Sequence, residues 1–392
     1  MREPVELRRQ RILAVVGARG AVKVSALAEE LDVSVVTVRR DVEELARAGR
    51  LRRGHGVARS ASLAQDPAPA PAAERTGPAG EAGPVALVVP ERHSYLYETL
   101  HGARSVLDEH GVRVALHIAP QARGTERPLV EQALAGGARG LLIAPRWRSA
   151  RWEESDGEWL ADVGVPTVLM ERRPRPGSAL HALDSVCSDH WYGVHLAVDH
   201  LVSLGHRRIV LAARHDSPTA RSIRAAFAEI AAGRPEVEDW CVVLSSPDAV
   251  PSGGPYGGEG EDGGQGVGGR GGAGAALDLA AVLRERRATG AVLHGDVDAL
   301  MLVQRLTESG VRVPQDCSVV AYDDVVAGLG TTPLTAVSPP KAEIGRAAAE
   351  LLLYRLGGSE GATGPVRRTE LLPELKVRGS AQALISPHRP IV

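Results

Sequence analysis

Short unbroken runs of Val, Ile, Leu and Ala return again and again from residue 85 onward, each separated from the next by a helical pattern. They include Val85-Ala86-Leu87-Val88-Val89, Val112 to Ile118, Gly140 to Ala144 and Thr167 to Met170. Arg208 to Ala212, Cys241 to Leu244, Gly290 to Leu293 and Ser318 to Tyr322 continue the series. Amphipathic helices are expected over roughly 96–110, 128–135, 191–204 and 297–309. A strand that is apolar throughout has both faces covered, so these runs predict parallel sheets flanked by helices. The units are too many for one doubly wound sheet. Two similar lobes with a cleft between them are expected.

In such folds ligands sit beyond the carboxyl ends of the strands. The residues there are polar and varied: Glu91 to Tyr97, Glu171-Arg172-Arg173, His215 to Arg224, His294-Gly295-Asp296 and Tyr322-Asp323-Asp324. Carboxylates and arginines that can pair with hydroxyls, together with aromatic rings that stack on sugar faces, suit a small polar ligand such as a carbohydrate. Polar residues commonly follow strands, so no single one decides the matter. Several sets converging on one cleft do.

Residues 32–45 read differently. Ser34 stands as an N-cap before a helix in which Val38, Val42 and Leu45 recur at i, i+4 and i+7, the stripe of a buried face. Val36, Arg40, Glu43 and Arg47 fall opposite, with Thr37 and Arg39 on the flanks. Upstream, Val24 to Leu31 forms a shorter helix with Ser25 as its expected cap and Leu27, Ala28 and Leu31 on one face. Two short helices joined by a tight turn form a helix-turn-helix, which sets its second helix in the DNA major groove. Arginines on one helix face are common in any soluble protein. Here, however, Gly49 ends the helix and Arg50-Leu51-Arg52-Arg53-Gly54-His55-Gly56-Val57 follows as a small hairpin. That wing can lay Arg52, Arg53 and His55 along phosphates. Through Ser60 there are 13 Lys and Arg against 8 Asp and Glu, while the whole chain carries a net charge of −2. The DNA contacts expected are Ser34, Val36, Thr37, Arg39, Arg40, Arg52, Arg53 and His55.

The sequence thus divides into a DNA-binding domain over 1–59, an Ala/Pro linker over 60–84 and a large domain over 85–380. The linker contains Pro67, Pro69, Pro71 and Pro78 and almost no large apolar residue, so it is expected to be disordered. Residues 251–274 are mostly Gly and read as an insert in a surface loop. They contain Gly266-Val267-Gly268-Gly269-Arg270-Gly271, a match to the dinucleotide fingerprint. No strand leads directly into it, and a tract so rich in Gly matches by chance. Cys187, Cys241 and Cys317 are far apart without metal-ligand spacing and are expected to be buried, reduced thiols. There is no run of 18 apolar residues, and the charged start Met1 to Glu6 lacks the apolar stretch of a secretory signal. A cytoplasmic protein with no cofactor, no metal and no membrane contact is expected. No nucleophile elbow, zinc-protease helix or Walker loop occurs, so an enzyme is not expected.

The run from Arg11-Ile12-Leu13 through Val33-Ser34, Thr37-Val38-Arg39-Arg40-Asp41 and Gly49-Arg50-Leu51 to His55-Gly56 resembles the winged helix-turn-helix of DeoR-type regulators. Residues 200–209 and 308–324, with Pro333 to Val337 and Ile344 to Ala348, resemble the effector domain of LacI/GalR repressors. Together these resemblances imply an α/β chain, a winged helix-turn-helix followed by a two-lobed, parallel, periplasmic-binding-protein-like domain. They imply a homodimeric transcriptional repressor that binds operator DNA and responds to a carbohydrate. The family's effector aspartates fall on Asp323 and Asp296, with Gly295 where an Asn is usual, and its acidic position after the fourth strand on Glu171. Its arginine falls near Arg221 or Arg224. Tyr95 and Tyr97, which follow the first strand, are the rings expected to stack on the ligand. A DNA-binding dimer whose second domain has lost its ligand is the alternative. DeoR-type heads usually sit on a different, sugar-phosphate-binding domain. The prolines of 60–84 are ill suited to the hinge helix usual in LacI/GalR proteins, since each interior Pro costs about 3 kcal/mol.

Overall fold

The computed structural model describes residues 9, 12, 13, 15, 16, 21–30, 33–47, 51–54, 57–60, 83–91, 94–245, 277–358 and 364–384. Most of 60–84, all of 251–274 with its fingerprint match, and His55 lie outside the described residues. The chain divides into two units, residues 1–80 and 81–392.

In the first unit, strand β1 (Ala21–Lys23) runs straight into helix α1 (Val24–Glu30), and α2 follows over Val35–Arg47. Because α1 begins at Val24, Ser25 lies inside its first turn instead of capping it. The second cap is as expected: Ser34 Oγ accepts from Thr37 N at 3.2 Å. Val38, Val42 and Leu45 of α2 close on Leu27 and Ala28 of α1 and on Ile12, Val16 and Val22. Asp41 is buried on the same helix and accepts from Arg9 Nε at 3.1 Å, tying the N-terminal helical residues to α2. The wing is β2 (Leu51–Gly54) antiparallel to β3 (Val57–Ser60), and β1 pairs with the far edge of β3. That third strand is a finding of the structure; Ala21-Val22-Lys23 is too short to read as a strand.

The second unit holds two six-stranded sheets. The first lobe contains β4 (Val85–Pro90), β5 (Val114–Ala119), β6 (Gly140–Ile143), β7 (Thr167–Met170) and β8 (Asp184–Ser188), all parallel. Its helices are α3 (Ser94–Glu109), α4 (Glu126–Ala135) and α5 (Ala150–Ala161). The second lobe comprises α6 (His190–Ser203), β9 (Arg208–Ala213), α7 (Pro218–Gly233), β10 (Asp239–Leu244) and α8 (Leu279–Arg286). It continues with β11 (Gly290–His294), α9 (Asp296–Glu308), β12 (Ser318–Tyr322) and β13 (Thr335–Ser338). The chain then returns. Helix α10 (Lys341–Leu356) packs in the first lobe's core, and β14 (Arg368–Leu371) joins β8 there. Strand β15 (Glu374–Lys376) crosses back to pair antiparallel with β13. Three chain passages therefore join the lobes, after β8, after β13 and after β14.

The lobes form because their apolar strands are sandwiched. Val85, Leu87 and Val89 face α3 and α10, while Ala86 and Val88 face the layer around Trp147 and Leu160. In the second lobe Val210 and Ala212 face one core, Ile209 and Leu211 the other. Helices α3 and α10 approach so closely that a Cβ at Gly345 would stand 1.8 Å from the Thr99 carbonyl oxygen. Only Gly allows that contact. Cys187, Cys241 and Cys317 are buried free thiols, as expected.

Candidate functional site

On the first unit, α2 presents the face expected to meet DNA. Val36 is 75% exposed, and Arg39 and Arg40 are exposed beside it. A single exposed apolar side chain is ordinary on a protein surface, so it is the paired arginines beside it that suit this face to DNA. Ser34 is exposed, and its Oγ lies 2.8 Å from Thr37 Oγ1, so the cap also fixes that hydroxyl. Arg52 and Arg53 lie on β2, opposite Arg59 and Ala58 of β3. The helix and the wing are thus both present in the described residues.

On the second unit, a cavity of about 420 Å³ opens between the lobes at the carboxyl ends of β4, β7, β9, β11 and β12. Tyr95, Glu171, Asp296 and Asp323 line it together. Glu171 and Asp323 follow β7 and β12 with φ of 52° and 101°. Positive φ in a residue with a side chain costs of order 1–3 kcal/mol and clusters at functional sites.

The carboxylates differ in what already holds them. Glu171 is buried; it accepts from the Tyr95 hydroxyl, from Ser188 Oγ at 3.1 Å and from Ser188 N at 3.2 Å. Its Oε2 lies 3.9 Å from His190 Nε2, and His190 Nδ1 lies 3.2 Å from the Tyr322 hydroxyl. This network crosses between lobes at the passage after β8. Asp296 accepts from the backbone N–H of Val325, of Val326 at 2.7 Å and of Ala327 at 3.0 Å, pinning the loop after β12. Asp324 turns the other way, onto Arg378 at 2.7 Å and Lys376 at 3.3 Å. With that loop fixed at both ends, Asp323 is held at the cavity. Its backbone carbonyl accepts from Lys341 Nζ at 2.7 Å, while its carboxylate has no hydrogen-bond donor among the described residues. Burial first, and then neighbouring Asp296, pushes its pKa well above the ordinary carboxylate range, with Lys341 opposing.

A second set of charges closes the cavity. Arg214 donates to both oxygens of Asp216 at 2.9 and 3.1 Å and to Asp298 at 3.3 Å. Asp216 also accepts from Arg146 Nη2 of the first lobe at 3.0 Å. Burial works to raise the Asp216 pKa, but Arg214 and Arg146 outweigh it and hold the carboxyl well below its usual range. His294 is buried beneath this set, and desolvation, with His190 and Arg214 adding, lowers its pKa to about 3. It is neutral, and so able to donate and accept.

Three of the expected contacts are placed elsewhere. Tyr97 is 59% exposed on α3 and is absent from the lining. Arg221 reaches across the lobes to donate to the Trp147 carbonyl at 2.8 Å and to pair with Glu153 at 3.5 Å. Arg224 donates to the Arg214 carbonyl. These side chains are engaged by the protein and do not line the cavity. The arginines that do are Arg146, Arg172 and Arg214. Each lies just past a strand, the position where ligand contacts are expected, but Arg146 and Arg214 were not among the candidates.

A family profile described as a DeoR-like helix-turn-helix domain matches residues 8–63, and one described as a periplasmic binding protein-like domain matches residues 198–381. The chain joins a DeoR-like head to a periplasmic-binding-protein-like domain. The HTH-type transcriptional repressor PurR of Haemophilus influenzae is 28% identical over 224 residues, 56% of this chain and 59% of that protein. This chain therefore spans about six tenths of the length of that relative. The arabinose metabolism transcriptional repressor of Geobacillus stearothermophilus is 25% identical over 307 residues, 73% of this chain and 72% of that one. Among solved structures, the lac repressor dimer bound to operator and the anti-inducer ONPF matches with a TM-score of 0.60 and 20% identity, covering 78% of this chain and 96% of that one. A LacI family regulator of Enterococcus faecium with bound ribose matches at 0.56 and 21%, covering 77% and 99%. At such identities the structural likenesses establish the fold, including the first-lobe residues 85–188, which the second profile leaves unmatched. The relatives are regulators, not enzymes.

Proposed function

We propose that this protein is a cytoplasmic transcriptional repressor whose hold on operator DNA is changed by a sugar-like molecule bound between the lobes. In this reading it acts as a homodimer and not as an enzyme. Ser34, Val36, Thr37, Arg39 and Arg40 read bases and adjacent phosphates from the major groove, while Arg52, Arg53 and His55 hold the backbone. One observation carries the ligand half of the reading. Asp323 sits on strained backbone at the mouth of β12, its loop fastened on both sides, with a carboxylate that accepts no hydrogen bond among the described residues. A group so held is an acceptor for ligand hydroxyls. It favours a working site over a domain that serves only dimerisation. His294, Tyr95 and Glu171 supply further hydrogen bonds and a ring face. The similar proteins, a transcriptional repressor, an arabinose metabolism repressor and a regulator with bound ribose, are in keeping. Among the described residues no helix is long and apolar enough to cross a membrane.

The test of the DNA half is selection from a random duplex library. The wild-type protein should enrich one sequence, and Arg40→Ala should lose it without a change in melting temperature. A base contact of this kind contributes about 1–3 kcal/mol. Equal enrichment by both proteins would remove α2 from the groove.

A further inference from the structure

The charges that line the cavity do not balance. Five carboxylates line it, those of Glu171, Asp216, Asp296, Asp298 and Asp323, against three guanidiniums, those of Arg146, Arg172 and Arg214. The guanidiniums are already engaged by the protein. Arg214 binds Asp216 and Asp298, and Arg146 binds Asp216, so at that end two cations match two anions. Arg172 is buried and donates to the carbonyls of Ala144, Pro145 and Glu171. His294 adds no charge, because desolvation first, and then nearby His190 and Arg214, lower its pKa to about 3.

The excess falls at the carboxyl ends of β7 and β12. There Glu171 is held by two hydroxyls and the Ser188 N–H, and Asp296 by three backbone N–H groups, neutral donors that leave both charges in place. Asp323 forms no ion pair, and its carboxylate accepts no hydrogen bond, among the described residues. Lys341 Nζ reaches only its backbone carbonyl, at 2.7 Å, and lies 3.9 Å from Glu98, which is outside the cavity lining. Burial first, then Asp296, with Glu171 and Asp298 adding and Lys341 opposing, raise the Asp323 pKa, so the unliganded cleft favours the protonated acid. A ligand hydroxyl can donate to this carboxylate but leaves its charge uncompensated. An ammonium group supplies the donor and the compensating charge together, in a bond about twice as strong as a neutral one.

We propose that the molecule taken by this cleft is a polyhydroxy compound carrying a protonated amine, an amino sugar, with its ammonium group on the Asp323 carboxylate. This rests on the reading of the cleft as a sugar-type site and narrows it. The ammonium takes the place of the proton that Asp323 otherwise holds, which is released to solvent. Asp296 and Glu171 disfavour an anion at Asp323 and favour a cation there for the same reason. A sugar acid meets the opposite field, since its carboxylate enters among carboxylates while the arginines are already matched. The cleft therefore discriminates by charge, taking the amine first, the neutral sugar next and the acid last.

The experiment is calorimetric titration of the full-length protein at about pH 6, where an amine keeps its proton. The probes differ in one substituent: glucose, its 2-amino, 3-amino and 6-amino derivatives and glucuronate, and galactose beside galactosamine. At least one amino sugar should bind tenfold or more tightly than its neutral parent, and glucuronate should bind more weakly than glucose. Asp323→Asn, which keeps the shape and removes the charge, should bring the amine and its parent to equal affinity. The order amine, neutral sugar, acid in the wild-type protein tests the charge even if that variant folds poorly. Neutral sugars binding as tightly as their amines, glucuronate binding more tightly than glucose, or a preference unchanged in Asp323→Asn would overturn the cationic assignment while leaving the cleft a sugar site. No binding by any probe would overturn both.

Discussion

Arg146 of the first lobe and Asp216 of the second meet at 3.0 Å across the cleft, both side chains 11% exposed. Arg221 repeats the theme nearby, reaching from α7 to Glu153 and the Trp147 carbonyl. Two arginine bridges thus link the lobes across the cleft, in addition to the three chain passages.

Asp216→Asn should loosen this closure. Removing one charge of a nearly buried pair leaves the other uncompensated, a change that typically costs about 3–5 kcal/mol. Small-angle scattering should show a larger radius of gyration for the unliganded variant. Because the arginines hold the Asp216 carboxyl below its usual range, its stabilisation is present above the unfolded-state pKa and is lost as pH falls through the lowered value. The wild-type advantage in melting temperature should therefore be flat from pH 8 down to pH 5, roughly one unit above the unfolded-state value near 4. A variant as closed as wild type would show that closure does not depend on the Arg146–Asp216 pair.

Asp323→Asn should move stability and binding in opposite directions. Burial raises this carboxyl, so the ionised form is disfavoured in the folded protein and the group's contribution is lost as pH rises through the raised pKa. Asn tolerates positive φ and carries no charge. The unliganded variant should melt higher than wild type at pH 8, the gap closing toward pH 4. Its ligand affinity should fall tenfold or more, about 1.4 kcal/mol. A lower melting point at pH 8 would show that the ionised carboxylate supports the fold.

Asp184 carries the first lobe's main structural ion pair. It accepts from Arg355 Nε at 2.6 Å, Arg355 Nη2 at 2.8 Å and Arg367 N at 2.6 Å, fastening β8, α10 and the approach to β14. Asp184→Ala leaves Arg355 largely buried without this partner and should lower stability by about 3–5 kcal/mol in urea titration, with the exposed face of α2 untouched. A loss below 1 kcal/mol would mean that the carbonyls of Gly364 and Pro365 suffice for Arg355.

Apolar periodicity made most of the strands and the long helices legible, because a two-sided core demands it. What it could not reveal is instructive. Strand β8, Asp184-Ser185-Val186-Cys187-Ser188, is fully buried yet polar in three of its five residues, its carboxylate matched by Arg355 and the Ser188 hydroxyl by Tyr95 and Glu171. Strands β14 and β15 are short, partly exposed edges with no apolar run. At the site, the strand-end carboxylates were legible because a residue's place after a strand depends on local sequence. The arginines were not, because Arg221 and Arg146 differ only in what the other lobe offers each: a carbonyl and Glu153 to one, Asp216 and open cavity to the other.

The account stands on the cleft and the helix-turn-helix being coupled. The direct measurement is fluorescence anisotropy of the full-length protein on its selected duplex, with and without a saturating amount of whichever probe gave heat in the titration. Coupling between two sites typically contributes about 1–3 kcal/mol, so the DNA affinity should change at least fivefold, and the same probe should leave Asp323→Asn nearly unresponsive. Superimposable isotherms for the wild-type protein would contradict the account.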